Sequence, residues 1–179
     1  MSTIEQTQTI PAGTWELDPV HSKAAFSVKH SGIATFRGSF KDVTGRLEDG
    51  VLTGAVKVAS VDVPVEQLVG HLQGPDFFDA ERNPEITFTS DELRQEGDQL
   101  IIKGDLTLRG VTKPLEAVGS LAGPTQYLDG KDRIAIEVTT VVDRTQFGID
   151  WNAPLPGGGQ ALGNDVTLTV ELQLVKAEA

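Results

Sequence analysis

Apolar side chains recur at every second position along most of this chain, and that rhythm excludes most folds before any motif is read. From Ser22 the residues divide into Ser22, Ala24, Phe26, Val28 and His30 on one side, and Lys23, Ala25, Ser27 and Lys29 on the other. Leu52, Val56 and Val58 fall together, as do Ile86 and Phe88. Leu100, Ile102, Leu106 and Leu108 oppose Lys103, Asp105, Thr107 and Arg109, and Ile134, Ile136 and Val138 follow. Last come Val166, Leu168, Val170, Leu172 and Leu174, opposite Asp165, Thr167, Thr169, Glu171 and Gln173. One apolar and one wet face per segment is the pattern of half-buried antiparallel strands. Turn sequences separate them: Glu48-Asp49-Gly50, Glu96-Gly97-Asp98, Arg109-Gly110 and Asp129-Gly130-Lys131. Roughly eight strands follow, with short connections and no alternating helices, which is the plan of an all-β sandwich or barrel.

The rhythm breaks once. Pro64 to Gln73 carries Val65, Leu68, Val69 and Leu72 at helical spacing, with Pro64 at the first helical position. A short helix there is expected to lid one end of the sheet. Gly74 to Pro84 reads as an irregular loop with Phe77 and Phe78 adjacent. Trp151 to Gly163, with Pro154, Pro156 and Gly157-Gly158-Gly159, reads as a second. Both loops are candidates to border an opening.

At 179 residues the chain fits one domain with a sizeable core. We divide it into a flexible segment 1–12, a domain 13–176 and a tail 177–179. With 26 acidic against 15 basic residues the formal charge is −11. That disfavours nucleic acid, whose phosphates demand Lys and Arg, and adsorption to anionic membranes, which needs clustered basic residues. The absence of cysteine excludes disulfides, thiolate nucleophiles, and Cys-ligated zinc and iron–sulfur sites. Residues 1–13 show neither a basic n-region nor an apolar h-region, and no stretch approaches the ~18 apolar residues of a spanning helix. A cytoplasmic location is the expectation.

Candidate chemistry is sparse. His21 and His30 are an odd number of residues apart and face opposite sides of a regular strand, and His71 has no ligand partner at metal-binding spacing, so no metal is expected. His30 shares a face with Phe26 and Val28, so an inward position is expected. It is read either as satisfied by a backbone carbonyl or as a polar contact to a ligand end. There is no Gly-x-Ser-x-Gly elbow. Asp76, Asp79 and Glu81 could pair with His71 as acid and base but read first as helix caps, turn formers or solvated charge, and the triple glycine as a flexible turn without phosphate-loop chemistry. The phenylalanines either fill a core or line a barrel interior, since eight strands enclose room for side chains or for one ligand. Ala24, Gly38, Gly54 and Gly104 are small inward candidates that would leave such room.

Ordered motifs take the reading further. Trp15-x-Leu17-Asp18-Pro19-x-His21-Ser22-x-x-x-Phe26-Ser27-Val28-Lys29-His30 and then Gly38-Ser39-Phe40 resemble the opening of the YceI-like family. His71-Leu72-x-x-x-Asp76-Phe77-Phe78-Asp79 with Pro84-x-Ile86-Thr87-Phe88 resembles its middle signature. The run from Gly104 through Arg109-Gly110 to Pro114, then Arg144-Thr145-x-Phe147-Gly148-Ile149 and Gly163-Asn164-Asp165-Val166, complete the series from Gly13 to Val175.

The resemblance implies an extended eight-stranded antiparallel lipocalin-like barrel. Inside it, a polyisoprenoid such as an isoprenoid quinone or prenyl phosphate would be bound, transported or stored. No cofactor, metal or catalytic residue is implied. The expected ligand-binding residues are Phe26, Val28, His30, Phe36, Phe40, His71, Phe77, Phe78, Phe88, Leu106, Arg144 and Phe147. Relatives commonly carry an Arg-Asp pair before the helical histidine. Leu68 and Val69 stand there in this chain, which removes a polar anchor at the mouth. The acidic surface favours a neutral or quinone head group unless Arg144 or Lys113 points inward. Two other readings stay open: an enzyme acting on an apolar isoprenoid-type substrate through His30 or Arg144, and a protein-interaction module with a filled core. Homodimerisation through a sheet edge or the lid also stays open, with no interface signal in the sequence.

Overall fold

Two kinks in the N-terminal half decide how the sheet closes. The computed structural model describes residues 10–177. Most of the segment 1–12 and most of the tail 177–179 therefore lie outside the described residues. In chain order the elements are β1 (Thr14–Leu17), β2 (Lys23–His30), β3 (Ala34–Phe40), β4 (Val43–Glu48), β5 (Val51–Lys57) and β6 (Val61–Asp62). They continue with α1 (Gln67–Gln73), β7 (Glu85–Glu96), β8 (Gln99–Leu108), β9 (Val111–Gln126), β10 (Asp132–Asp143) and β11 (Leu162–Lys176).

β1 and β2 are one strand bent at residues 18–22, since both pair with the long β11. β3 and β4 are likewise one strand bent at Lys41 and Asp42, since β3 pairs with β2 and β4 with β1. Counting each bent strand once, with the two-residue β6 as the continuation of β5 across residues 58–60, gives an eight-stranded antiparallel ring, closed where β1 meets β11. The first bend is held by Asp18, whose carboxylate accepts hydrogen bonds from Val20 N at 2.9 Å, His21 Nδ1 at 2.7 Å and Arg133 Nη1 at 2.8 Å. The His21 bond, with those from Val20 and Arg133, holds this carboxyl below its ordinary pKa against the opposing effect of burial.

The hairpins follow from their turn residues. Asp49 and Gly50 join β4 to β5 with φ of 48° and 82°, and Arg109 and Gly110 join β8 to β9 with φ of 53° and 73°. Two consecutive left-handed residues twist with the flanking strands, which explains Gly at the second position of each turn.

The predicted helix is shorter than its pattern. It begins at Gln67, and Pro64 sits in a bend before it. Val65, 45% exposed, and Leu68, 36% exposed, face outward or toward the opening, and no residue of α1 is fully buried. Its spacing was helical, but only Val69 and Leu72 find apolar neighbours, around Phe40, Val61 and Val63. The helix spans the gap left at one end of the barrel, where β6 pairs with β3 and the chain then crosses to β7. We call this the upper end.

The lower end is solid. Trp15, Leu47, Leu100, Ile102, Ile134, Ile136 and Leu174 are at most 2% exposed and pack into one cluster, with Ile10 against it. Above that cluster the barrel is hollow.

Candidate functional site: an apolar cavity in the upper barrel

The cavity is a consequence of side-chain alternation in strands whose inward residues do not meet. Ala24, Phe26 and Val28 of β2, Phe36 and Phe40 of β3, Ile86 and Phe88 of β7, Leu106 of β8, Leu115 of β9, Val142 of β10 and Leu168 of β11 all line it. Its volume is about 410 Å³, within the range of ~300–1,000 Å³ common for small-molecule sites. Ile102, Ala117, Val138 and Leu172 of the lower cluster form the floor. A filled core is thereby excluded for this half of the barrel.

The small residues have divided roles. A Cβ on Gly54 would meet only Thr44 O at 3.5 Å, so this glycine opens space beside Phe88, its partner in register. Gly38 and Gly104, expected to leave room, do not: a Cβ on Gly38 would lie 2.4 Å from the Phe26 ring. One on Gly104 would lie 2.3 Å from Thr89 O and 2.7 Å from the Phe88 ring. These glycines admit a neighbouring ring or strand.

Lid and loop close over the cavity through aromatic contacts. The His71 ring stands edge-on to Phe77 at 4.8 Å and to Trp151 at 5.1 Å, and Phe77 lies 5.5 Å from Trp151. A second trio, Phe26, Phe40 and Phe78, has centroid separations of 5.6–6.2 Å. Such tilted and edge-on pairs add specific attraction to area burial. The 151–163 loop is shaped by Asn152, whose amide donates to Leu162 O at 2.7 Å and accepts from Leu162 N at 2.9 Å.

Arg144 is the most unusual group of the wall. Its residue is 5% exposed. The Asp143 carboxylate accepts from Thr145 N and Oγ1 and starts a tight 3-10 turn over Arg144–Phe147. Gly148, at φ 77°, ends that turn. This reversal brings Ile149 O within 2.8 Å of Nη1, which also donates to Trp151 O at 2.9 Å, while Nε donates to Gly163 O at 2.8 Å. Nη2 has only a 3.5 Å contact to Asn164 Oδ1. Among the described residues no carboxylate pairs with this guanidinium. Burial pushes its pKa below the ordinary arginine value, opposed by the charges of Asp143 and Asp150. A buried cation so held is satisfied by carbonyl dipoles and keeps one donor group weakly engaged.

Of the residues singled out from sequence, Phe26, Val28, His30, Phe36, Phe40, His71, Phe77, Phe78, Phe88, Leu106 and Arg144 all lie in the cavity wall. Phe147 does not. It ends the 3-10 turn pointing into a buried cluster with Phe77, Leu106, Leu108 and Ile149, behind the wall. His30 lines the cavity but is exposed at its rim, where Ser31 Oγ lies 3.3 Å from Nδ1, because β2 ends there. Lys113 is exposed and absent from the wall. Leu68, 36% exposed, lines the mouth. Trp151, Thr140 and Ala161 also line the cavity without having been singled out as ligand-binding from sequence. Thr140 follows from extending the β10 alternation, while Trp151 and Ala161 belong to the 151–163 loop, irregular chain with no period to single them out.

The wall is poor in chemistry. Besides Arg144 its residues with polar side-chain groups are His30, His71, Trp151, Thr44, Thr53, Thr87 and Thr140. His71 Nε2 lies 3.4 Å from Asp76 Oδ2, and both side chains are exposed. Asp79 acts as a turn former at φ 52°, its carbonyl accepting from Asn83 N. Among the described residues no group of His, Cys, Asp and Glu is gathered for a metal. Nor is any helix long and apolar enough to cross a membrane.

Comparison with known proteins agrees with this geometry. The family model for the YceI-like domain matches residues 15–174. A UPF0312 protein of Photorhabdus laumondii is 34% identical over 119 residues, 63% of this chain and 59% of that protein, so the match spans less than two thirds of that relative. Protein YceI of Escherichia coli O157:H7 is 33% identical over 136 residues, 72% of this chain and 71% of its own length. Among solved structures, a polyisoprenoid binding domain from Saccharophagus degradans superposes with a TM-score of 0.70 at 13% identity, over 91% of this chain and 98% of that one.

Proposed function

The chain belongs to the YceI-like family, and from that premise and its hollow upper barrel we propose that it binds a long apolar molecule, a polyisoprenoid or isoprenoid quinone, for transport or storage. The observation that carries the reading is the wall itself, with Phe26, Phe36, Phe78, Phe88, Ile86, Leu115 and Leu168 facing empty space. A prenyl tail offers nothing to hydrogen-bond, so its affinity must come from burial at ~0.8 kcal/mol per CH₂. Several buried units offset the several kcal/mol lost on association. The tail points toward the floor over Ile102 and Leu172, and the head group lies near the mouth, where His30, His71 and Arg144 are.

Arg144 sharpens the head-group reading. Its Nη2 suits an acceptor oxygen, such as a quinone carbonyl, without a fully buried ion pair having to form. The name of the Saccharophagus degradans domain supports the ligand class. The enzyme reading has less behind it: Ser31 Oγ lies 3.3 Å from His30 Nδ1, but at the rim, with no further group orienting that imidazole among the described residues.

The test is extraction of the purified protein with organic solvent followed by mass spectrometry, together with uptake of a long-chain quinone by the delipidated protein. One apolar molecule per chain, or saturable uptake at that ratio, is the expected result. Neither a stoichiometric lipid nor uptake would end the proposal.

A further inference from the structure

The chain's acidity is unevenly distributed. Between residues 20 and 41 stand Lys23, Lys29, Arg37 and Lys41 and no Asp or Glu, although the whole chain carries −11. This stretch is the β2–β3 hairpin. Lys23, Lys29 and Arg37 occupy alternate, cavity-averted positions across it, with Ser27 opposite Arg37 and Thr35 opposite Lys29. All four cations are exposed, and none forms an ion pair among the described residues. Lys29 Nζ donates only to Thr35 Oγ1, at 3.1 Å.

Two further features lie on this side of the barrel. An outer groove of about 400 Å³ runs along β2, β3 and β6, walled by Lys23 and Arg37 with the hydroxyls of Ser27, Ser39 and Thr169, and with Asp62 as its acidic member. At the hairpin tip Ile33 is 88% exposed, and its N–H donates to His30 O, at the cavity rim. Across the mouth, Leu68 both lines the cavity and is exposed beside Val65.

We propose that the outer face of the β2–β3 hairpin docks the barrel on an anionic phospholipid surface, the cations and groove hydroxyls receiving lipid phosphates and Ile33 entering the interface beside the cavity mouth. This inference rests on the apolar-cargo reading, since a molecule that exchanges chains with a bilayer must bring its opening there. Basic residues within a Debye length of an anionic surface are attracted individually. At physiological salt that length is about 8 Å, so the acids on the far side of the barrel are screened. The nearer acids are Glu171, which faces Lys23 in register, Asp165, two places along β11 from Thr167 opposite Ser27, Asp42 beside Lys41, Asp62 in the groove, and Glu66 and Asp76 of the lid. They limit the affinity, and salt weakens it further by screening the cations from the lipid phosphates.

The experiment is cosedimentation of the full chain with vesicles of phosphatidylglycerol and phosphatidylcholine in equal parts, against phosphatidylcholine alone. Binding to the anionic vesicles alone, weakened by salt, is expected. The double variant Lys29→Gln/Arg37→Gln should bind about thirtyfold more weakly, and Ile33→Asp should also bind less, with both variants retaining the parent's circular dichroism and melting. Equal binding to both vesicles, no binding, or undiminished binding by the double variant would overturn the docking. So would a protein partner captured through this face while vesicles stay free. Uptake of a long-chain quinone by the delipidated protein in vesicle-free solution separates the two readings. Uptake without vesicle binding defeats docking alone, and vesicle binding without uptake defeats the cargo reading.

Discussion

The two halves of the barrel are made by the same strands and do opposite things. Below, Leu47, Leu100, Ile136 and Leu174 show no exposure, and Trp15 is buried inside a single sheet that closes on itself through β1. Above, Phe26, Phe36, Leu168 and Val142 point inward just as regularly, yet stay half-exposed because what they face is a cavity. The difference comes from the bends at residues 18–22 and 41–42. They let β1 and β4 close tightly while β2 and β3 splay away, leaving α1 and the 63–84 segment to bridge the gap. One end therefore contributes stability and the other capacity.

The largest expected effect lies in the solid half. Leu47→Ala should cost about 3–5 kcal/mol, because a void opens among close-packed neighbours. Urea unfolding measures the cost, and ligand uptake by the molecules that stay folded should be unchanged. Arg144 is next. Arg144→Lys should cost about 2–3 kcal/mol, since an ammonium lacks the planar fork that reaches Gly163, Ile149 and Trp151 carbonyls together. The same unfolding assay reads it, and quinone affinity should fall with it. In the hollow wall, Leu168→Ala should cost only about 1 kcal/mol, because the space it faces is already empty. A cost equal to that of Leu47→Ala would erase the distinction between the halves.

The smallest effect is with pH. Asp18 has its pKa lowered from the ordinary 3.8 by its bonds to His21, Val20 and Arg133. A carboxyl lowered in the folded state contributes stability that is fully present above its unfolded pKa and is lost as pH falls through the folded one. Asp129, through the Lys131 backbone, and Asp143, through Thr145, shift in the same direction. Melting temperature should therefore fall on acidification below the ordinary carboxylate range. In Asp18→Asn that slope should be shallower, by less than about 1 kcal/mol.

Period two made the strands, the turns at Asp49-Gly50 and Arg109-Gly110, and the inward faces legible from sequence. It does not say how far apart facing walls stand, so a filled core and a hollow one share the same alternation. It also cannot see bends, and the expected eight strands appear as eleven segments. Where the chain leaves regular strand, the reading weakens for a physical reason. His30 is exposed because β2 ends at it, Phe147 is turned away by the Gly148 reversal, and Trp151 reaches the wall from a loop. The buried environment of Arg144 depends on carbonyls of residues 149, 151 and 163, a contact set that no local spacing announces.

The chain's two tryptophans fall one in each half, Trp15 in the solid core and Trp151 in the cavity wall. Titrating a long-chain quinone, a fluorescence quencher, into Trp15→Phe and Trp151→Phe variants therefore tests the account directly. The signal of Trp151, left alone in the first variant, should be quenched strongly and saturate at one quinone per chain, while that of Trp15 in the second should fall only weakly. Equal quenching of both, or a loss that grows without saturation, would contradict a ligand held in the upper barrel.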